Sequence, residues 1–123
     1  MTQLQAAGSR KIAIIEETTD NLYSLQFILQ SLGYDAVALP AREDLLSQMA
    51  GLRVEVVLID MLLPGDVSLP LLRLIRKAVG ADVRILAISA DAVPHSEAEI
   101  RDAGADAVLM KPYNVSDLQS ELQ

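Results

Sequence analysis

The sequence predicts one α/β domain built as a parallel sheet with helices on both faces. Three observations predict it. The chain has 123 residues, enough for one core. Five short apolar runs rich in β-formers recur along it, at residues 11–15, 35–39, 54–59, 84–88 and 107–110. Between them lie stretches whose apolar residues repeat at helical spacing, joined by short connections.

Residues 1–10 are small and polar, with Gly8 and Ser9, and read as a flexible tail preceding a domain over 11–123. KIAII at 11–15 is a buried strand. Leu22, Leu25, Leu29 and Leu32 then recur at three and four, an amphipathic helix with N-caps available at Thr18, Thr19 or Asp20 and a stop at Gly33. Residues 35–39 form a second strand, closed by Pro40. Leu45, Leu46 and Met49 mark a helix over 43–50 that stops at Gly51.

VEVVLI at 54–59 is the strongest strand, and its near-continuous apolarity suits a strand covered on both faces. Asp60 follows it, then a loop at Pro64, Gly65 and Asp66. Ser68 caps the next helix, with Pro70 in its first turn and Leu71, Leu72, Leu74 and Ile75 facing the core. That helix runs to about Lys77 and breaks at Gly80. The fourth strand covers 84–88. A polar helix over 94–103 stops at Gly104. The fifth strand covers 107–110 and ends at Lys111 and Pro112. A last helix begins near Val115 or Ser116.

Composition narrows the function. Asp and Glu number 17 against 10 Lys and Arg, a formal net charge of −7. That argues against non-specific nucleic-acid binding, which needs basic surface to displace counterions, and against docking on anionic lipid. The absence of cysteine excludes disulfides, thiol nucleophiles and Cys-ligated zinc. A single histidine, His95, cannot build a multi-histidine metal site and reads as a surface residue without a partner. No apolar run reaches the roughly 18 residues of a membrane span, and no signal-peptide pattern opens the chain, so a cytoplasmic domain is expected.

In an open parallel sheet, ligands bind outside the carboxyl ends of the strands, near the topological switch point. Applied here, the rule gathers Glu16 and Glu17 after strand one, Asp60 after strand three, Ser89 after strand four and Lys111 after strand five. Three carboxylates repel one another unless a cation sits among them. Hard oxygen donors without His or Cys favour Mg²⁺. A carboxylate, a metal, an ammonium and a hydroxyl together suit phosphoryl transfer.

At this point the sequence resembles the receiver domain of bacterial two-component response regulators, over about residues 11–123. The resemblance is carried by IIEE at 14–17, LIDMLLPG at 58–65, ISA at 88–90 and GADAVLMKP at 104–112, in that order and spacing. It implies a flavodoxin-like doubly wound sheet of order 2-1-3-4-5 with about five helices. It implies phosphorylation of Asp60 by a histidine kinase or histidine phosphotransfer protein. Glu16, Glu17 and Asp60 would bind Mg²⁺ with the backbone carbonyl of Leu62, and Ser89 and Lys111 would hold the phosphoryl oxygens. The Lys111–Pro112 bond would be cis. The domain would catalyse its own phosphorylation, without being an enzyme in the usual sense. It would switch a protein–protein interaction with an effector, as a monomer or weak homodimer.

Three departures stand out. The family usually has at least one Asp where Glu16 and Glu17 stand. It commonly has an aromatic residue in strand five that turns inward on activation, at the position of Val108; Tyr113 lies elsewhere. Only 11 residues follow Pro112, about two and a half turns of a helix starting near Ser116, whereas receivers usually carry a longer one, so a trimmed C-terminal edge is expected.

The first two departures motivate an alternative, a receiver-like interaction module that is not phosphorylated. A haloacid-dehalogenase-type phosphatase fits less well, because its second Asp would stand at Leu62. A dinucleotide-binding domain is disfavoured by Glu16-Glu17-Thr18-Thr19 after strand one, where a Gly-rich turn would be needed.

Overall fold

The computed structural model describes residues 10–123. The expected tail therefore lies outside the described residues except for Arg10, whose guanidinium donates to the Leu122 carbonyl and whose own carbonyl accepts from Asp35 N–H at 3.0 Å. The strands are β1 (Lys11–Ile15), β2 (Asp35–Ala38), β3 (Val56–Asp60), β4 (Arg84–Ser89) and β5 (Ala107–Met110). They form one sheet in the order β2-β1-β3-β4-β5, with every pairing parallel. Five α-helices lie among the described residues: α1 (Thr19–Ser31), α2 (Leu45–Leu52), α3 (Ser68–Val79), α4 (Glu97–Ala103) and α5 (Val115–Leu122). A 3₁₀ turn, Pro64–Asp66, precedes α3. None of these helices is long and apolar enough to cross a membrane.

Strand alternation sorts the core into two layers. Ile12 and Ile14 of β1, Val56 and Leu58 of β3, and Leu86 and Ile88 of β4 pack with Leu25 and Leu29 of α1 and Leu118 and Leu122 of α5. Their neighbours Ala13, Ile15, Val57, Ile59, Ile85 and Ala87 pack on the other face with Met49 of α2, Leu72 and Ile75 of α3, and Ile100 of α4. Burial on both faces is why the central strands are continuously apolar. The chain leaves β1 for β2 on one side and returns to β3 on the other, so the switch point falls between β1 and β3.

Several expected boundaries differ: β2 ends at Ala38 rather than residue 39, β4 runs on through Ser89, and α2 begins at Leu45 rather than residue 43. Helix α2 runs through Gly51 and ends where Arg53 turns left-handed at φ 53°. Helix α3 reaches Val79, two residues beyond Lys77, and Gly80 breaks it at φ 82°. Helix α4 starts at Glu97, not Pro94, because Ser96 and Glu99 form a reciprocal capping box that fixes the first turn there. Strand β3 starts at Val56 and includes Asp60.

Two packing expectations differ as well. Leu74 is 53% exposed, since α3 meets the sheet through Leu69, Leu72 and Ile75. Ser68 does not cap α3; its hydroxyl is used in the loop before it.

The amino-terminal edge of the sheet is closed by Arg76. Its guanidinium donates to the carbonyls of Gly104 at 2.9 Å, Gly80 at 2.7 Å and Val83 at 2.7 Å, and to Asp106 Oδ2 at 2.6 Å. Asp106 Oδ2 also accepts from Ile85 N–H at 2.8 Å. This network ties α3, β4 and the loop before β5 at the end of the sheet away from Asp60, leaving the opposite end free to carry chemistry.

Candidate functional site

The register brings the strand ends together. Ile15 pairs with Ile59, Asp60 with Ile88, and Ser89 with Met110. Glu16, Asp60, Ser89 and Lys111 therefore meet at one edge of the sheet. Glu16 and Asp60 are each only 7% exposed and Ser89 only 3%. The main chain is pinned around them: Met61 N–H donates to Ile88 O at 2.9 Å and Lys111 N–H to Ser89 O at 2.8 Å. The Lys111–Pro112 bond is cis, as the resemblance implies.

Strand parity decides which side chains share a face. Glu16 continues the series Ile12, Ile14; Asp60 continues Val56, Leu58; Lys111 continues Ala107, Leu109. These three belong to the α1–α5 side. There Glu16 and Lys111 line a groove of about 430 Å³ with Asn21, Ser24, Leu25 and Tyr113. Ser89 continues Ile85, Ala87 toward the other face.

The carboxyl group of Glu16 lies beside that of Asp60. Burial pushes the Glu16 carboxyl above the usual carboxylate range, and the contact with Asp60 and its charge push the same way. The Thr18 N–H, donating to Glu16 Oε1 at 3.1 Å, and the charge of Lys111 partly offset this rise. Asp60 Oδ1 accepts from Leu62 N–H at 2.9 Å, which orients the carboxylate at the strand end.

Glu17 goes elsewhere. Its side chain is exposed, and Oε2 accepts from Ala41 N–H at 3.2 Å in the loop after β2. Glu16 and Asp60 thus form a pair, and among the described residues no three His, Cys, Asp or Glu side chains are grouped to hold a metal. Two buried carboxyl groups in contact, with a lysine charge nearby, nevertheless fit a hard divalent cation, which takes one or two carboxylates and completes its shell with water or phosphate.

Three further residues belong to the site's surroundings. Ser68 is fully buried; its hydroxyl donates to Asp60 O at 3.0 Å and accepts from Leu63 N–H at 2.9 Å, holding the loop that carries Leu62. Its position beside Leu69 on the inner side of α3 was a sequence signal for burial. Tyr113 is half-buried, and its phenol is pushed up by burial and then by the charges of Glu16 and Asp60, which places it beside them. His95 has a partner after all, with Nε2 3.4 Å from Asp66 Oδ1. Val108 is half-buried against the α2–α4 layer.

Comparison with known proteins agrees with this fold. The family model described as "Response regulator receiver domain" matches residues 12–123. The sensory/regulatory protein RpfC of Xanthomonas campestris is 26% identical over 117 residues, 93% of this chain and 16% of that protein. The DNA-binding response regulator MtrA of Mycolicibacterium paratuberculosis is 24% identical over 114 residues, 93% of this chain and 50% of that protein. The chain thus spans half or less of the length of these curated relatives.

Among solved structures, the chemotaxis protein CheY4 of Vibrio cholerae superposes with a TM-score of 0.82 at 20% identity, covering 94% of this chain and 97% of that one. A CheY-like receiver domain protein from Methanospirillum hungatei gives 0.80 at 26% identity, covering 93% and 90%. A response regulator from Burkholderia pseudomallei, solved with a phosphorylated aspartic acid and a calcium ion, gives 0.78 at 23% identity, covering 94% and 67%. The flavodoxin-like order 2-1-3-4-5, the convergence of Asp60, Glu16, Ser89 and Lys111 on one sheet edge, and the match over residues 12–123 lead to one conclusion: this chain belongs to the response regulator receiver domain family of two-component systems.

Proposed function

We propose that this receiver is a phosphoacceptor and that Asp60 carries the phosphoryl group. The observation that carries the reading is the oriented Asp60 carboxylate at the end of the central strand, beside Glu16, on which the charge of Lys111 acts. In the proposed reaction an Asp60 oxygen attacks phosphorus, the phosphorus–nitrogen bond of a phosphohistidine breaks, and the departing imidazole takes a proton from solvent. The donor is a histidine kinase or histidine phosphotransfer protein. Ser89 donates its hydroxyl to a phosphoryl oxygen, and Lys111 neutralises another.

Glu16, Asp60 and the Leu62 carbonyl would hold Mg²⁺. Glu17 would join only by giving up the Ala41 N–H. Bound Mg²⁺ supplies neutralisation of the developing phosphoryl charge. The receiver promotes its own modification and has no turnover substrate; its output is a changed affinity for an effector.

A second reading, an interaction module that is never phosphorylated, is favoured by one observation, the commitment of Glu17 to Ala41. Intact-mass analysis after incubation with acetyl phosphate and Mg²⁺ separates the two. A single phosphoryl adduct, lost in Asp60→Asn, supports the phosphoacceptor. No adduct under conditions that modify an ordinary receiver supports the module, and an adduct retained in Asp60→Asn refutes the assignment to Asp60.

A further inference from the structure

The chain carries 10 lysines and arginines. Arg10, Lys11, Arg76, Arg84 and Arg101 are ion-paired with carboxylates. Lys111 belongs to the candidate site. Arg42, Arg53, Arg73 and Lys77 remain; all four are exposed, and none is ion-paired among the described residues.

These four cations share two neighbouring helices. Arg42 precedes α2 and Arg53 follows it, while Arg73 and Lys77 stand on α3. Helix α2 contains no charged residue, and α3 has three cations and no acid. In α1, α4 and α5 the acids outnumber the cations. The acids nearest in sequence are Glu43 and Asp44 before α2, Asp66 before α3 and Asp82 after it. Asp44 accepts from Gln48 at 2.9 Å, and Asp66 faces His95. Arg73 acts on Glu99 of α4 without pairing with it.

Between the cations the surface is apolar. A groove of about 470 Å³ has Ala41, Arg42, Val67, Leu71 and Leu74 in its lining, and Asp66 is the one acid there. A second, of about 180 Å³, lies between α2 and the last turn of α3, with Ala50, Arg53 and Ala78 in its wall. Leu74 and Val67 are both exposed. On α3, Leu74 and Ala78 stand one turn apart, and Arg73 and Lys77 stand one turn apart on the adjacent stripe.

We propose that the α2–α3 face is a docking surface for an acidic amphipathic helix of a partner protein. The apolar side of that helix fills the two grooves, and its carboxylates meet Arg42, Arg53, Arg73 and Lys77.

Charge complementarity selects this occupant. A second copy related by a twofold axis would set the α3 cations against each other. A nucleic acid or an anionic bilayer extends past the face and meets a molecule of net charge −7. A short acidic helix meets chiefly the local cations, because exposed charges beyond about 8–10 Å are screened at physiological salt. The proposal does not depend on phosphorylation of Asp60.

The test uses the full chain and two labelled synthetic peptides of about 14 residues, long enough to span α3. Both carry leucines at one helical stripe; one has Glu at the flanking positions and the other has Gln. Fluorescence anisotropy reads affinity, and amide NMR shifts locate the contact. The Glu peptide is expected to bind about tenfold tighter than the Gln peptide, with shifts at residues 42–46, 53–54 and 67–78. Leu74→Gln and the double variant Arg73→Glu/Lys77→Glu are each expected to lose about tenfold in affinity for it. Both lie at exposed positions, and thermal melts confirm that the variants fold.

Equal affinity for the two peptides, shifts confined to other faces, or parent-like binding by the double variant overturns the proposal. So does a response of the same amides to phosphatidylserine–phosphatidylcholine vesicles when the Glu peptide gives none, which assigns the face to a membrane. A dimer in sedimentation velocity that is lost in Lys77→Glu also overturns it and assigns the face to self-association.

Discussion

Ser68 donates its hydroxyl to the main-chain carbonyl of Asp60 at 3.0 Å while accepting from Leu63 N–H at 2.9 Å. A fully buried side chain eight residues downstream thus braces both ends of the Asp60 loop. Ser68→Ala leaves a buried carbonyl and a buried N–H without a partner. It is expected to cost about 1–3 kcal/mol in urea unfolding. Phosphoryl uptake should slow as well, since the Leu62 carbonyl is no longer held; uptake at the parent rate in folded protein would show that the brace serves stability alone.

Glu16 and Asp60 place two acids in contact at a buried edge. Removing one charge relieves repulsion and also removes a candidate metal donor. Glu16→Gln is therefore expected to stabilise the metal-free fold, on the order of 1 kcal/mol. It should also abolish most of the stabilisation that added Mg²⁺ confers on the parent chain. Thermal melts with and without Mg²⁺ read both effects, and a variant that still gains the parent's full Mg²⁺ stabilisation would remove Glu16 from the metal site.

Arg76 joins the carbonyls of Gly80, Val83 and Gly104 to the Asp106 carboxylate. Asp106→Ala strands the Ile85 N–H and part of the guanidinium, and is expected to cost about 2–3 kcal/mol. Gly104→Ala is expected to be destabilising too. Its φ is 131°, and a Cβ there would lie 2.7 Å from Arg76 Cβ. Chemical denaturation checks both; a cost below about 0.5 kcal/mol for Asp106→Ala would show that the network is solvated in solution.

The Glu99 carboxyl is held below its ordinary range, chiefly by the Ser96 N–H it accepts. Its folded value is lowered, so its contribution is present at neutral pH and fades as pH falls through that lowered range. Amide exchange in α4 is expected to quicken as the medium is acidified. Glu99→Gln should flatten that dependence, and an unchanged dependence in the variant would assign it to another acid. Ser96→Ala, which removes the cap's side chain, is expected to cost about 1 kcal/mol at neutral pH.

Much of the fold was legible because its signals are local. The period-two series from Ile12 to Ile15 and from Val56 to Ile59, each continuously apolar, announce strands buried on both faces, and α1 is visible in its leucine spacing. Helix ends were legible where a glycine fixes the stop, as at Gly80. They were not where a tertiary contact takes over. Gly51 lies within α2, and Ser68, which reads as a cap, is drawn into the Asp60 loop. Leu74 belongs to the same apolar run as Leu72 but points away from the sheet, because a helix lays only part of its circumference on one.

The sequence by itself determined that Glu16, Asp60, Ser89 and Lys111 reach one edge, since each directly ends or follows a strand of a parallel sheet. Only the tertiary structure decided which of them face one another. Strand parity carries one residue past β1 to Glu16, and beyond that the direction of a side chain is set by whatever contacts the loop finds. Glu16 turned in to Asp60, while Glu17 was captured by the Ala41 N–H from a segment 24 residues away. The His95–Asp66 contact spans 29 residues and has no trace in either local sequence. Short-range periodicity encodes elements, but a site's charge arrangement depends on polar groups brought from distant segments, and those pairings exist only once the chain has folded.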